Sequence, residues 1–99
     1  MNIQNFIKLC KVEDIKNDRK TFELDDKKFF LIKDKENYYF MEAVCKHMGG
    51  PLEKGKIKDN TIECPWHGCK FDFKTGKSPN SSHKLIVREV IVKDGYIYV

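Results

Sequence analysis

The sequence contains no apolar run approaching the roughly 18 residues that a membrane-spanning helix needs. Residues 1–6 lack the charged leader and apolar stretch of a secretory signal, so we expect a cytoplasmic protein with no membrane partner. A formal net charge of +4 is too small to indicate a nucleic-acid-binding protein. The 99 residues make one small domain, and a hydrophobic content of 40% is enough for a core but too high for a disordered chain.

Helical periodicity is absent from the sequence, since no segment keeps a helical repeat over three turns. Short runs rich in Phe, Tyr, Ile and Val are frequent instead, and polar turns separate them. The sequence therefore predicts an all-β fold built from antiparallel strands. The predicted strands cover residues 5–10, 21–24, 28–33, 38–44, 85–92 and 96–99.

The middle of the chain differs in composition from both ends. Residues 45–79 hold three of the four Cys, two of the three His, five of the six Gly and all three Pro. This composition predicts a loop-built insertion between strands. We expect an antiparallel β scaffold (residues 1–44 and 83–99) that carries an inserted subdomain (residues 45–82), all within one domain.

Two short segments of this insertion each contain a cysteine close to a histidine: Cys45 with His47, and Cys64 with His67. Thiolates suit iron–sulfur clusters or zinc, and imidazole suits zinc, copper or iron. All four residues could bind one zinc ion in a zinc-stabilised interaction module, although a Cys-x-His pair is an atypical zinc spacing. Alternatively, the cysteines bind one iron of a 2Fe–2S cluster and the histidines bind the other iron.

The residues around these ligands extend the pattern. The chain reads Cys45-x-His47-x-Gly49-x-x-Leu52 and then Cys64-Pro65-x-His67-Gly68-x-x-Phe71-Asp72-x-x-Thr75-Gly76. This pattern resembles the low-potential Rieske-type ferredoxins, in which the two segments are cluster-binding loops and a later proline, here Pro79, covers the cluster. The resemblance implies a Rieske iron–sulfur fold and one 2Fe–2S cluster per chain, with the metal ligands Cys45, His47, Cys64 and His67. The residues that it places around the cluster are Met48, Gly49, Gly50, Leu52, Trp66, Gly68, Cys69, Phe71 and Pro79.

The ligand set affects the reduction potential. Two ferric ions, two sulfides and two thiolates sum to zero charge, so such a centre accepts an electron more readily than a four-cysteine cluster. High-potential Rieske proteins have a loop-bridging disulfide, whose positions match Gly50 and Trp66, and two hydroxyl donors, whose positions match Cys69 and Phe71. Because a thiol is a weak donor and a phenyl ring is none, we expect a potential near the low end of the range, roughly −150 mV.

The resemblance implies one-electron transfer rather than catalysis. Like the ferredoxin components of aromatic-ring dioxygenase systems, the chain would pass electrons from a flavin-dependent ferredoxin reductase to a terminal oxygenase or another redox protein. It would not be an enzyme, because 99 residues leave no room for the mononuclear-iron domain of an oxygenase. The small Rieske subunit of an NADH-dependent nitrite reductase has the same motifs and is the alternative. Since residues 45–88 carry nine Lys or Arg against four acids, we expect an acidic docking surface on the partner.

Overall fold

A computed structural model describes residues 5–45, 49–66, 68–79 and 81–99. The strands in these ranges are β1 Lys8–Lys11, β2 Arg19–Leu24, β3 Lys27–Asp34, β4 Asn37–Glu42, β5 Lys56–Lys58, β6 Thr61–Glu63, β7 Lys70–Asp72, β8 Val87–Arg88, β9 Ile91–Lys93 and β10 Tyr96–Tyr98. Two short 3-10 helices, Val12–Asp14 and Leu52–Lys54, are the helical segments in this part of the chain, which confirms the predicted all-β class. Neither segment is long and apolar enough to cross a membrane.

The strands form three antiparallel sheets. Strands β1, β10 and β9 form the terminal sheet, in that order, and strands β2, β3, β4 and β8 form the central sheet. Strands β5, β6 and β7 form a third sheet, which we call the loop sheet because it lies next to the cysteine-containing loops. Most neighbours within a sheet are also neighbours in sequence, so short hairpin turns connect them.

Tight two-residue turns join several of these strands. Both central residues have a positive φ in the turns Asp25–Asp26, Asp59–Asn60 and Asp94–Gly95. Asp, Asn and Gly tolerate this left-handed region better than other residues, and such turns match the twist of paired strands. Local sequence chemistry therefore sets where these three hairpins reverse.

The central sheet is buried on both faces. The apolar run Phe29–Ile32 in β3 is the reason, because side chains alternate between the two faces of a strand. One core cluster, on the side of the terminal sheet, contains Phe29, Leu31, Phe40, Ile97 and Val99. The other cluster, on the side of the loop sheet, contains Phe30, Ile32, Met41, Ala43, Cys45, Leu52, Ile62, Cys64, Cys69, Phe71, Phe73 and Leu85. Both predicted metal-ligating cysteines thus belong to the second cluster.

Two predictions about strands were wrong. Residues 45–79 are not only loops, because they contain the whole loop sheet. Each of its strands has only three residues, too few for an alternating pattern to stand out from the sequence. Residues 85–92 do not form one strand either. This run is divided into β8, which pairs with β4, and β9, which pairs with β10, so the chain changes sheets between Arg88 and Ile91.

Two charged side chains of the central sheet bind the segment that follows Cys45. Nη1 of Arg19 in β2 donates hydrogen bonds to the carbonyl oxygens of Glu53, at 2.9 Å, and Gly55, at 2.7 Å. Nζ of Lys28 in β3 lies 2.7 Å from Oε1 of Glu53. Burial lowers the pKa of Arg19, but an arginine keeps its charge at neutral pH. These bonds attach the 3-10 helix Leu52–Lys54 to the central sheet.

The substitution Arg19→Met tests this attachment. It keeps most of the aliphatic side chain but removes both donors, so the two carbonyls lose their charged partner. We expect the free energy of unfolding to fall by about 2 kcal/mol. Urea denaturation followed by circular dichroism measures the change. Lys20→Met, at the exposed neighbouring position in the same strand, is the control and should change stability by less than about 0.5 kcal/mol. Equal effects of the two substitutions would contradict the proposed attachment.

Candidate metal centre

Cys45 begins a six-residue segment, residues 45–50, which we call loop 1. The N–H of Cys45 donates to the carbonyl of Gly50 at 2.9 Å, and the N–H of Gly49 donates to the carbonyl of Cys45 at 2.8 Å. Gly49 has a φ of 76°, a conformation that costs other residues energy. The bridge between Val44 and Pro51 closes the base of the loop. These contacts bring residues 49–51 back against Val44 and Cys45.

Cys64 begins a segment with the same backbone pattern, residues 64–69, which we call loop 2. The N–H of Cys64 donates to the carbonyl of Cys69 at 2.7 Å, and the N–H of Gly68 donates to the carbonyl of Cys64 at 3.0 Å. Gly68 has a φ of 69° and occupies the position in loop 2 that Gly49 occupies in loop 1. The ladder pair Glu63–Lys70 closes the base of this loop. Loop 2 thus repeats the geometry of loop 1, with a cysteine first and a glycine fifth.

The sequence contains this repetition as two Cys-x-x-x-Gly segments, which begin at Cys45 and Cys64. The fifth residue must have a positive φ for its N–H to reach back to the cysteine carbonyl, so glycine is expected there. The spacing therefore predicts two equivalent turns. Only the tertiary structure shows that the turns lie side by side.

The two loops meet at Gly50. A Cβ atom at this position would lie 2.6 Å from Sγ of Cys64 and 3.2 Å from ring atoms of Trp66. A side chain therefore does not fit between loop 1 and the thiol of loop 2. Cys45 and Cys64 are 2% and 1% exposed, and both are thiols rather than half-cystines. Glycine at position 50 thus allows two buried thiols to lie on adjoining loops.

This arrangement fits the sulfur-bound half of a 2Fe–2S cluster. Two thiols on separate turns are the donor set expected for one iron, and the buried setting excludes water from the sulfur atoms. His47, Met48 and His67 lie outside the described residues. Within the described part of the chain, no group of three or more His, Cys, Asp or Glu side chains gathers at metal-binding distance. The described part of the predicted ligand set consists of Cys45 and Cys64.

The other residues predicted around the centre fall into a buried group and an exposed group. Leu52 and Phe71 are fully buried in the same core cluster as the two cysteines, and Cys69 is 7% exposed. Trp66 is 58% exposed although its ring lies near Gly50, and Pro79 is exposed as well. The buried residues support the loops from below, whereas Trp66 presents an apolar surface to the solvent.

Ser78 was not identified from the sequence. Its Oγ lies 3.9 Å from Sγ of Cys69, a weak sulfur–hydroxyl hydrogen bond in which either atom can donate. This contact joins loop 2 to the segment that contains Pro79. A hydroxyl residue directly before Pro79 was the available signal, but its contact with Cys69 depends on the packing of the two loops.

The remaining cysteine, Cys10, lies outside these loops. Cys10 is in β1 of the terminal sheet and packs against the core cluster that contains Phe29 and Ile97. Burial, together with the negative charge of Asp14, raises the pKa of its thiol. A raised pKa favours the protonated thiol over the thiolate that binds metal. Cys10 therefore serves as an internal control for substitutions at the other cysteines.

Gly50→Ala tests the meeting of the two loops. Its Cβ would displace the Cys64 thiol or separate the loops, so we expect protein purified without oxygen to lose most of its iron and acid-labile sulfide. Gly49→Ala is the matched control, because a Cβ at that position meets nothing within 4 Å and adds only the cost of its positive φ, about 1 kcal/mol. Equal cluster content in the two variants would show that the close approach at Gly50 is not needed.

Comparison with known proteins places this geometry in context. Residues 5–86 match the Rieske [2Fe-2S] domain. The chain is 36% identical over 69 residues to apoptosis-inducing factor 3 of Mus musculus, a match that covers 69% of this chain and 11% of that protein. It is 38% identical over 66 residues to ferredoxin CarAc of Metapseudomonas resinovorans, covering 65% of this chain and 62% of that protein. The chain thus spans about a tenth of the first relative and less than two thirds of the second.

The fold is also that of a solved protein. A chain in the complex of reduced oxygenase and oxidized ferredoxin in carbazole 1,9a-dioxygenase superposes with a TM-score of 0.80 and 27% sequence identity, covering 93% of this chain and 98% of that chain. The family match covers strands β1 to β7 and both cysteine loops, well beyond the ligand motif itself. The chain therefore belongs to the Rieske [2Fe-2S] domain family, and its cofactor is one 2Fe–2S cluster.

Proposed function

We propose that this protein is a one-electron carrier that passes electrons from a flavin-dependent reductase to a terminal oxygenase or a similar redox protein. The observation that carries the proposal is the pair of equivalent cysteine loops meeting at Gly50, within a chain that matches the family over residues 5–86. The similarity to ferredoxin CarAc and to a chain of the oxygenase–ferredoxin complex supports the choice of partners.

In this proposal each loop contributes one residue to each iron. Cys45 and Cys64 hold one iron through their thiolates, and His47 and His67 hold the other through neutral imidazoles. When bound, the cluster accepts and releases a single electron. Leu52 and Phe71 pack beneath the loops and exclude water from the sulfur side. The protein itself catalyses no further reaction and acts as a component of a larger oxidoreductase system.

The test begins with cluster content and electron transfer. We expect protein purified without oxygen to contain two irons and two acid-labile sulfides per chain, with a paramagnetic reduced state in electron paramagnetic resonance. With NADH and a flavin-dependent ferredoxin reductase, it should transfer electrons to cytochrome c. Cys64→Ala should abolish both properties, and Cys10→Ala should preserve them.

Two other outcomes would replace this proposal. A colourless protein with one divalent metal and no labile sulfide would be a zinc-stabilised interaction module. A stable complex with a large haem-containing subunit on purification would instead identify the small subunit of a nitrite reductase.

The contacts around Cys69 and Phe71 also bear on the reduction potential. The Phe71 ring has no hydrogen-bond donor, and the Cys69 thiol is a weak donor that already contacts the Ser78 hydroxyl. Neither side chain is therefore a strong donor to stabilise the additional negative charge of the reduced centre. We therefore propose a potential near the low end of the Rieske range, roughly −150 mV.

Cys69→Ser replaces this weak donor with a hydroxyl and should raise the potential. A redox titration followed by electron paramagnetic resonance measures the change. Cys10→Ser makes the same chemical change in the terminal sheet and should leave the potential unaltered. If neither substitution changes the potential, Cys69 has no such role, and a wild-type value above zero would contradict the low-potential proposal.

A further inference from the structure

The positive charge of this protein is confined to one part of the chain. Residues 45–88 carry nine Lys or Arg against four Asp or Glu, whereas residues 1–44 carry nine of each sign and residues 89–99 carry one Lys and two acids. The segment with the excess therefore includes both cysteine loops and the whole loop sheet.

Three of the four acids in this segment have partners within the protein. Oδ1 of Asp72 accepts hydrogen bonds from the N–H groups of Lys74 and Thr75. Glu53 binds Lys28 of the central sheet, and Oε1 of Glu63 lies 4.0 Å from Nζ of Lys70. The described lysines of the segment are all exposed. These contacts leave the charges in place, so the segment keeps its positive excess, although the nearby Glu63 partly offsets the charge of Lys70.

Three of these lysines lie at the bases of loops near the metal centre. Lys70 follows loop 2 directly and belongs to the ladder pair that closes it. Lys77 and Lys84 face each other in an isolated bridge that closes residues 78–83, the segment with Pro79. The Cys69–Ser78 contact and a 2.7 Å hydrogen bond from the N–H of Asp72 to the carbonyl of Lys77 join this segment to loop 2 and β7. The three lysines therefore lie on adjoining parts of one surface.

The bridge between Lys77 and Lys84 places like charges directly opposite each other. Such pairs destabilise a sheet, so the fold itself gains nothing from the second positive charge. An anionic surface placed against both lysines would turn this repulsion into attraction. Lysines act as mobile point charges, which suits long-range steering more than the bidentate recognition of single groups by arginine.

We propose that Lys70, Lys77 and Lys84 form a docking surface for the acidic face of a redox partner protein. This inference rests on the proposed electron-carrier function, because it assigns the surface through which the partner approaches the centre. The lysines increase the rate of encounter and orient the partner toward loop 2 and the segment of residues 78–83.

The rates of electron transfer to small charged oxidants report the charge around the site where the electron leaves the protein. The reduced protein gives one electron to ferricyanide, which becomes ferrocyanide, or to hexaamminecobalt(III), which becomes the cobalt(II) complex. Stopped-flow absorbance measures both rates at about 10 mM and 150 mM salt, between which the Debye length falls from about 30 to 8 Å. We expect the added salt to slow the ferricyanide reaction about tenfold and to accelerate the hexaamminecobalt(III) reaction.

Two triple variants with the same net charge separate a local surface from overall charge. The first replaces Lys70, Lys77 and Lys84 with Gln, and the control replaces Lys20, Lys27 and Lys93, which are exposed on the scaffold strands, with Gln. We expect the first variant to show a salt effect on ferricyanide of no more than about twofold. The control should keep most of the wild-type effect.

Equal salt effects in the two variants, or a ferricyanide rate that rises with salt, would overturn the docking surface while leaving the carrier function in place. A chain that binds no cluster, or whose reduced form reacts with neither oxidant, would overturn the carrier function and the docking surface together. Cluster content, measured for each variant before kinetics, distinguishes these cases.

Discussion

The close approach of the Gly50 backbone to the Cys64 thiol is the constraint on which the candidate centre depends. A Cβ at position 50 would lie only 2.6 Å from that sulfur, so a larger residue would separate the loops. The carbonyl of Gly50 also accepts the N–H of Cys45. One residue without a side chain therefore contacts both Cys45 and Cys64, and it allows the two thiols to lie on adjoining loops.

The remainder of the fold keeps these turns in place. Loop 2 connects β6 to β7, and loop 1 follows the end of β4, where the isolated bridge between Val44 and Pro51 closes its base. The buried run Phe29–Ile32 gives the central sheet a core on each face, and the face toward the loop sheet includes the cysteines themselves. Each fully buried apolar side chain contributes about 1.5–3 kcal/mol. A small domain thus uses one core both for stability and for exclusion of water from the thiols.

Charged groups are distributed in a way that fits an electron carrier. Most carboxylates of residues 45–88 bind backbone or lysine groups of the same molecule, while the described lysines face solvent. Arg19 is used differently, since its guanidinium binds two carbonyls beside loop 1 rather than a partner. Arg19 therefore serves internal positioning, as expected from the fork geometry of its guanidinium.

Local sequence alone predicts the donor chemistry of the candidate centre and the positions of the tight turns. Cysteine and histidine at short spacing limit the ligands to a few metals, and Asp, Asn or Gly at a turn tolerates the positive φ that the turn needs, so both properties are local. The family resemblance of the residues around Cys45 and Cys64 predicted the cofactor and the general fold. The placement of His47 and His67 remains a prediction, because both residues lie outside the described part of the chain.

The meeting of distant segments depends on the packing of the whole fold. The branched residues of 85–92 suit any sheet, so their division between two sheets depends on the available strand edges and not on propensity. Arg19 and Glu53 are 34 residues apart in sequence, and Cys69 and Ser78 are 9 residues apart. No periodic pattern in the sequence predicts either contact. Contacts of this kind arise from the packing of complete elements, and a residue's own neighbours in sequence carry no information about them.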